Sequence, residues 1–267
     1  MSDKKATVTK PSRSKTHHSP LATRHSCEIR IGTSGWHYKH WLGPFYPKTL
    51  RAPQMLSWYM ERFDTVEINN SFYHLPTART FAAWREEAGS RFRFAVKGSR
   101  YITHRKKLND PEQILARFLD PVQALDDRLG PILFQLPPRW SCNLDRLTAF
   151  LRLLPDSHRY AFEFRDRSWH CPPVYRLLRR YHAAFCIYEL AGFESPREVT
   201  ADFAYVRLHG PGAKYQGDYS TKALTQWAEQ IAVWCRTLRA VYVYFDNDQA
   251  GYAPKNAREL RALVGHA

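Results

Sequence analysis

Charged and amide side chains interrupt several short apolar segments of this 267-residue chain. The segment TVEINNSF (65–72) is typical of a buried strand, yet it contains Glu67, Asn69 and Asn70. Burying a carboxylate or an amide is costly unless the group has a partner. Side chains two positions apart on a strand point the same way, so Glu67 and Asn69 are expected to face one interior. The segment therefore predicts a buried polar site.

Five later segments end in the same way. Their polar residues are Lys97, Gln135, Glu163, Arg165, Arg207, His209 and Asp246. Taken singly, each residue has a structural explanation as part of an ion pair or as a satisfied core histidine. Together with Glu67 they supply three carboxylates, three cations and an imidazole, and burying so many charges for stability alone is a poor strategy. The pattern therefore favours a functional pocket.

The residue types indicate acid–base chemistry on an anionic molecule. Glu67, Glu163 and His209 are predicted to transfer protons, provided that burial brings their pKa values towards neutrality. Lys97 is predicted to activate a carbonyl or to orient an anion. Arg165 and Arg207 are expected to bind a phosphate or carboxylate group, because a planar guanidinium donates two parallel hydrogen bonds.

Aromatic and amide residues in the same regions are candidates for substrate binding. The predicted binding residues are Trp36, Asn69, Asn70, Phe72, Tyr73, His104, Gln135, Arg165, Arg207, Asp246 and Asn247. Aromatic walls around a polar floor suit sugars or nucleobases, which stack on the rings. Plain loop packing explains the aromatic residues equally well. The Gly-rich segment HGPGAKYQGDYS (209–220) is a further candidate, for phosphate binding.

No cofactor is predicted from the sequence. Glu67, Glu163, His209 and Asp246 contain the oxygen and nitrogen ligands of a divalent-metal site. However, three cations in the same cavity would repel a metal ion, and no HxH or HxxxH pair lies on a strand. A divalent metal is therefore retained only as the alternative.

Eight strand-like segments position these residues. They are EIRIGTSGW (28–36), TVEINNSF (65–72), RFRFAVKGS (91–99), GPILFQLP (130–137), RYAFEFRD (159–166), AAFCIYEL (183–190), FAYVRLHG (203–210) and AVYVYFDND (240–248). Amphipathic helical patterns alternate with them and are weakest around AGFESPREVTAD (191–202). This alternation predicts an α/β fold, a single (β/α)8 TIM-type barrel with the site at the carboxyl strand ends. A doubly wound open sheet is the alternative, but GTSGW (32–36) lacks the GxGxxG spacing.

Composition predicts one basic domain with an N-terminal extension. The chain is 44% hydrophobic, and 40 Lys and Arg against 25 Asp and Glu give a net charge of +15. Residues 1–26 hold six of these basic residues and one acid, and they are predicted to be a disordered basic tail. Residues 27–267 are predicted to form the barrel, whose remaining positive charge favours anionic partners.

The cysteines and the hydropathy pattern indicate a cytoplasmic protein. Five scattered cysteines form no CxxC pair, which predicts reduced thiols and argues against a cysteine zinc site. No apolar run is long enough for a membrane helix, and the first residues lack the apolar stretch of a secretory signal. No membrane contact is expected, and the sequence does not predict the oligomeric state.

Seven motifs resemble those of the domain of unknown function 72 family, which includes YecE-like proteins. They are IGTSGWHYKHWLGPFYP, FDTVEINNSFYHLP, FRFAVKGSRYITH, LGPILFQLPP, FEFRDRSW, YVRLHG and YVYFDNDQAGYAPKNA, in the family's order. The resemblance implies a TIM-type barrel but no reaction, because the family has no established activity. It places motif positions at Trp36, Glu67, Asn69, Asn70, Phe72, Lys97, Thr103, His104, Gln135, Glu163, Arg165, Arg207 and His209. Asp166, Glu189 and Asp246 depart from the residues that are common in the family.

Three functions are compatible with these observations. The leading hypothesis is an enzyme that acts on a phosphorylated or otherwise anionic small molecule, a sugar or a nucleotide. The basic domain and the aromatic residues suggest a second, a nucleic-acid-binding protein or an endonuclease-like phosphodiesterase. The third is a barrel that binds a metabolite without turning it over.

Overall fold

The computed structural model describes residues 26–265 of the chain. The predicted tail, residues 1–26, lies outside the described residues except for Ser26. None of the helices in the described range combines the length and the apolar character needed to cross a membrane.

Residues 26–265 contain nine strands, eight of which form a parallel barrel. The strands are β1 (Glu28–Thr33), β2 (Thr65–Ile68), β3 (Arg93–Lys97), β4 (Leu129–Leu136), β5 (Tyr160–Phe164), β6 (Ala184–Leu190), β7 (Phe193–Glu194), β8 (Phe203–Leu208) and β9 (Ala240–Phe245). Their hydrogen-bonded order is β1-β9-β8-β6-β5-β4-β3-β2, and the short β7 adds to β6 in the antiparallel direction. The ring closes between β1 and β2, where the Gly35 amide donates to the carbonyl oxygen of Glu67 at 2.8 Å. The predicted TIM-type barrel is confirmed.

The approach of β1 to β2 depends on Gly32. A Cβ atom at this position would lie 2.3 Å from the carbonyl oxygen of Thr65. That distance is far inside van der Waals contact, so any larger residue would push the two strands apart. A glycine in β1 therefore permits the barrel to close.

Seven α-helices in the described residues surround the strands. They are α1 (Met55–Met60), α2 (Ala78–Glu87), α3 (Pro111–Val122), α4 (Leu144–Leu151), α5 (Pro172–Arg180), α6 (Thr221–Trp234) and α7 (Tyr252–Gly265). The side chains of Thr77, Asn143 and Ser220 cap α2, α4 and α6 by accepting a backbone N–H. No helix joins β6 to β8 within the described chain, where the helical pattern was weakest, and residues of this link form β7 instead.

Strand side chains alternate between the helix layer and the barrel interior. Phe162, Phe164, Val206 and Leu208 belong to the large hydrophobic cluster that includes the helices, as predicted. The ring of Phe162, for example, lies 6.1 Å from that of Phe150 on α4. A second cluster fills the interior, and its members include Ala95, Leu133, Ala161, Cys186, Tyr205 and Tyr244. The polar residues of the same strands share this interior direction.

The structure corrects the expectation that all five cysteines are reduced. Cys27, which precedes β1, forms a disulfide with Cys235 at the end of α6, with 5.2 Å between the Cα atoms. Cys142, Cys171 and Cys186 are free thiols. The bonded cysteines are 208 residues apart in the sequence and meet because β1 pairs with β9, the strand that follows α6. The number and spacing of the cysteines in the sequence do not indicate that Cys27 and Cys235 are neighbours.

Candidate functional site

Arg207 on β8 is the centre of a buried charge network. Its Nη2 donates to Glu67 Oε1 at 2.7 Å and to Asp246 Oδ2 at 3.1 Å, and its Nη1 donates to Glu163 Oε2 at 2.8 Å. Burial lowers the pKa of Arg207, but the neighbouring carboxylates of Glu67 and Glu163 outweigh burial and hold the pKa well above its usual value. One guanidinium thus binds carboxylates from three separate parts of the barrel.

Glu67 on β2 has hydrogen-bond donors for both of its oxygen atoms. Its Oε1 accepts from Ser34 Oγ at 2.5 Å as well as from Arg207, and its Oε2 accepts from the hydroxyl of Tyr205 at 2.6 Å. The side chain has no solvent-accessible surface. These partners explain how a carboxylate is tolerated in a buried strand, because each of its oxygens receives a hydrogen bond.

Glu163 on β5 connects Arg207 to a second guanidinium. Its Oε1 accepts from Arg165 Nε, while its Oε2 is bound to Arg207. Burial by itself raises the pKa of Glu163, but the two arginines outweigh burial and hold the pKa well below its usual range. Glu163 is therefore an ionised carboxylate at neutral pH.

His209 is oriented by Arg165 and Asp246. Arg165 Nη2 lies 2.9 Å from His209 Nε2, and Asp246 Oδ2 lies 2.9 Å from His209 Nδ1. A guanidinium can only donate, so Nε2 accepts the hydrogen bond and the ring proton is on Nδ1, directed at Asp246. Burial raises the pKa of Asp246, but Arg207 and His209 reverse this effect and lower it. The ring is thereby fixed in one orientation and one tautomer.

Lys97 at the end of β3 differs from Arg165 and Arg207 in the groups that surround it. Among residues 26–265 its Nζ forms no ion pair; it donates to Asn69 Oδ1 at 3.1 Å and lies 4.4 Å from the centre of the Phe72 ring. Desolvation and the nearby charge of Arg207 lower its pKa to about 8, against the opposing effects of the carboxylates. The whole residue is 6% exposed, so Lys97 is at the edge of the buried network.

A cavity of about 320 Å³ lies beside Asn69, the hydrogen-bond partner of this lysine. Its lining includes the predicted residues Trp36, Asn69, Asn70 and Tyr73, together with Tyr38. Asn69 thus contributes both to the cavity wall and to the hydrogen bond of Lys97. An aromatic and amide lining of this kind suits a small polar molecule with a flat or ring-shaped part.

The network and the cavity differ in solvent access. Glu67, Glu163, Arg207 and His209 have no exposed side-chain surface. Lys97, Asp246 and Gln135 retain 6%, 7% and 8%. The charged groups therefore converge at the carboxyl ends of the strands, and Lys97 and Asp246 differ from the deeper members of the network in keeping a small exposed fraction.

The remaining predicted binding residues lie in two different environments, one beside the charge network and one beneath the loop after β8. Gln135 on β4 is in register with Glu163, and Phe72 packs against His104 with ring centroids 5.1 Å apart. Desolvation and the neighbouring cations lower the pKa of His104 to about 4, so this ring is neutral at pH 7. Asn247 is set apart from the network, because it donates to Gly217 O at 2.8 Å and to Asn256 Oδ1 at 2.9 Å and supports the loop after β8.

Several residues that complete the site were not predicted individually from the sequence. Ser34 and Tyr205 bind Glu67, and the ring of Tyr188 lies 5.0 Å from the Arg165 guanidinium. Tyr215, which belongs to the Gly-rich segment considered for phosphate binding, has its ring 5.4 Å from that of His209. Strand alternation contained a signal for Tyr205, because it is two positions before Arg207 on β8 and so points the same way.

The described residues contain no group of three His, Cys, Asp or Glu side chains arranged to hold a metal ion. The ligands considered from the sequence, Glu67, Glu163, His209 and Asp246, are each bonded to a guanidinium instead. Their oxygen and nitrogen atoms are directed at internal partners.

Comparison with known proteins identifies relatives along nearly the whole chain. The profile of the family described as protein of unknown function DUF72 matches residues 30–267. The UPF0759 protein YunF of Bacillus subtilis is 25% identical over 272 residues, covering 88% of this chain and 94% of YunF. The UPF0759 protein YecE of Escherichia coli K12 is 30% identical over 138 residues, covering 51% of this chain and 48% of YecE.

Solved structures of the same family share the barrel. A DUF72 family protein from Thermotoga maritima aligns with a TM-score of 0.78 and 28% identity, covering 89% of this chain and 99% of that protein. A DUF72 family protein from Enterococcus faecalis, with a TM-score of 0.75 and 20% identity over 90% of this chain and 99% of its own, has the same fold. The motifs, the barrel and the extent of the family match lead to one conclusion: the chain belongs to the DUF72 family of proteins of unknown function.

Proposed function

We propose that the chain is an enzyme that acts on a phosphorylated or otherwise anionic small molecule, a sugar or a nucleotide, by acid–base chemistry at the carboxyl ends of the barrel strands. The observation that carries the proposal is the state of Lys97. Its buried amino group has no carboxylate partner among the described residues, and a cavity opens beside its partner Asn69.

Lys97 is the main proton-transfer group in this proposal. A pKa of about 8 leaves roughly one tenth of the amino groups neutral at pH 7. A group whose pKa lies close to the working pH is suited both to accept and to donate a proton. His209, which holds its ring proton towards Asp246, is the second proton-transfer group.

Arg165 is the group that binds the anion. Its Nε and Nη2 are committed to Glu163 and His209, and no partner for Nη1 is found in residues 26–265. Its side chain is 6% exposed, so a ligand bound at the carboxyl ends of the strands can reach it. Glu67 and Glu163 contribute through Arg207 and Arg165, because they hold both guanidinium groups in fixed positions.

A screen of phosphorylated sugars and nucleotides tests this proposal. The proteins compared are the wild type, Lys97→Met, and Lys222→Met, which changes an exposed lysine on α6. A substrate is expected to be turned over with a kcat/KM that falls by about 100-fold or more in Lys97→Met and stays unchanged in Lys222→Met. Turnover that is equal in all three proteins contradicts the proposal, and a ligand bound but never converted supports a metabolite-binding barrel instead.

A second candidate function, nucleic-acid binding, is supported by an uneven charge distribution. The loops after β2, β3, β4 and β5 carry seven Lys and Arg residues against two acids, whereas those after β6, β8 and β9 carry an excess of acids. Exposed Tyr73 and Tyr101, with 67% and 51% of their surface accessible, lie on the basic side. Cations and exposed aromatic rings together suit single-stranded nucleic acid.

Fluorescence anisotropy with a labelled single-stranded oligonucleotide tests this second candidate. Binding is expected to weaken steeply with salt and to lose several-fold in affinity in Tyr73→Ala and in Tyr101→Ala. Val233→Ala, which removes an exposed apolar side chain on α6, is the matched control. Affinity that is independent of salt, or that is unchanged by both tyrosine substitutions, contradicts nucleic-acid binding at this face.

A further inference from the structure

We infer that Lys97 is a site of imine formation, at which the Nζ atom bonds covalently to the carbonyl carbon of a small anionic aldehyde or ketone. This inference rests on the proposed function in that it uses the same site, and it specifies the substrate as a carbonyl compound. It concerns the chemistry of one nitrogen atom, and it can be tested without knowledge of the natural reaction.

The geometry around Nζ suits a nucleophile better than an ion pair. Asn69 Oδ1, at 3.1 Å, accepts one hydrogen bond from the amino group without neutralising its charge, and the face of Phe72 lies on another side. An amide acceptor and an aromatic face stabilise an ammonium only moderately, whereas a carboxylate partner would stabilise it strongly. The amine is therefore held in place without being locked in its protonated form.

The charges that surround Lys97 come from four strands and have opposing effects. Arg207 on β8 disfavours the ammonium, while Glu67, Glu163 and Asp246, at the ends of β2, β5 and β9, favour it. Desolvation is the largest effect, and with Arg207 it lowers the pKa to about 8. A lysine that is desolvated and next to a second cation is the arrangement used by amine nucleophiles.

The bond changes balance without an oxidant or a metal. The Nζ lone pair attacks the carbonyl carbon, the C=O π electrons move to oxygen, and a proton passes from nitrogen to that oxygen to give a carbinolamine. Loss of the hydroxyl with the second N–H proton then gives C=N and one water molecule. In this inference the anionic group of the carbonyl compound binds to Arg165, whose Nη1 has no partner among residues 26–265.

Reductive trapping in the full-length protein tests the inference. Glycolaldehyde phosphate is the probe, sodium cyanoborohydride is the reductant, and mass spectrometry of peptides measures the labelling rate of each lysine. At pH 7 a pKa of about 8 gives roughly 300 times more neutral amine than the ordinary 10.5. Because burial slows access, Lys97 is expected to be labelled about tenfold or more faster than exposed Lys222, and uncharged glycolaldehyde to show a smaller preference.

Two outcomes separate this inference from the proposed function. Labelling of Lys97 that is no faster than that of Lys222 overturns the inference of imine formation. If Lys97→Met nevertheless abolishes turnover in the substrate screen, the proposal of acid–base catalysis is retained without it. Preferential labelling of Lys97 supports the imine site, even if no substrate is turned over. Both rates are measured within the wild-type protein, so the test does not depend on the folding of a variant.

Discussion

At the scale of single residues, each fully buried charged side chain of the site has a specific hydrogen-bond partner from another part of the barrel. Buried ion pairs contribute little net stability, because desolvation offsets the attraction between the charges. Removing one partner is nevertheless costly, since it leaves a buried group unsatisfied. Glu67 shows the arrangement most clearly, because its three donors come from Ser34, Tyr205 and Arg207.

Tyr205→Phe tests this view of Glu67. The change removes the hydroxyl 2.6 Å from Glu67 Oε2 and leaves a buried carboxylate oxygen without its donor, so it is expected to cost about 1.5–3 kcal/mol. Tyr244→Phe is the matched control, because the Tyr244 hydroxyl bonds to the neutral Thr65 Oγ1 at 2.7 Å and should cost about 0.5–1.5 kcal/mol. Urea unfolding measures both. A Tyr205→Phe protein no less stable than Tyr244→Phe would contradict the view that the Tyr205 hydroxyl is needed to satisfy the buried Glu67 carboxyl group.

The membership of the network was largely predictable from residue positions, but the specific pairs that its members form were not. Alternation along β5 and β8 indicates that Glu163 and Arg207 share the interior, and parallel strands bring them together. Which carboxylate each guanidinium contacts depends on strand register, and register comes from the closure of the ring. The small exposed fraction that Lys97 keeps, and that Glu67, Glu163 and Arg207 do not, likewise depends on side-chain packing rather than on spacing.

At the scale of elements, the loop after β8 covers part of the site. Tyr215 in this loop lies against His209, and its amide donates to the carbonyl oxygen of His209 at 2.7 Å. The turn depends on Gly210, which has φ of 109° and whose Cβ would lie 2.1 Å from the Gln216 carbonyl oxygen. A positive φ and a close backbone contact together require glycine here.

Gly210→Ala is therefore expected to distort this loop. The strain should cost about 1–3 kcal/mol and increase hydrogen–deuterium exchange in residues 210–217. Gly212→Ala is the control within the same loop, because an added Cβ there meets open space, and it should change stability by less than about 0.5 kcal/mol. Equal exchange in both variants would mean that Gly210 does not set the loop conformation.

The helices were predictable where amphipathic patterns and caps coincide, as in α2, α4 and α6. The β6–β8 link was harder, because its sequence has neither a clear helical period nor the length of a strand, and two of its residues form β7. The Cys27–Cys235 contact was beyond prediction, since it depends on which helix lies beside the first strand after closure.

At the scale of the whole molecule, the depressed carboxyl pKa values make stability depend on pH. Glu163 and Asp246 have pKa values below their usual ones because of the arginines around them. The folded state therefore binds protons less readily than the unfolded state. The stability from these two groups is fully present above the unfolded pKa values of 4.5 and 3.8, and it is lost as the pH falls towards the folded values.

Denaturant unfolding between pH 3 and pH 7 measures this dependence. The wild type is expected to keep constant stability down to about pH 5 and to lose it progressively below that. Asp246→Asn should be less stable at pH 7 and should lose stability less steeply with acid, because one titrating group is gone. Asp202→Asn, which changes an exposed carboxylate paired with Arg239, should keep the wild-type slope. Identical slopes in all three proteins would show that the buried network does not couple folding to pH.

Both the acid–base proposal and the imine site require a buried lysine that is partly neutral near physiological pH. An NMR titration of the protein with isotopically labelled lysine, in which the Lys97 signal is assigned by its loss in Lys97→Met, measures this property without any substrate. The expected midpoint for Lys97 is about 8, with the exposed lysines titrating near 10.5. A Lys97 midpoint at or above that of the exposed lysines would contradict the account.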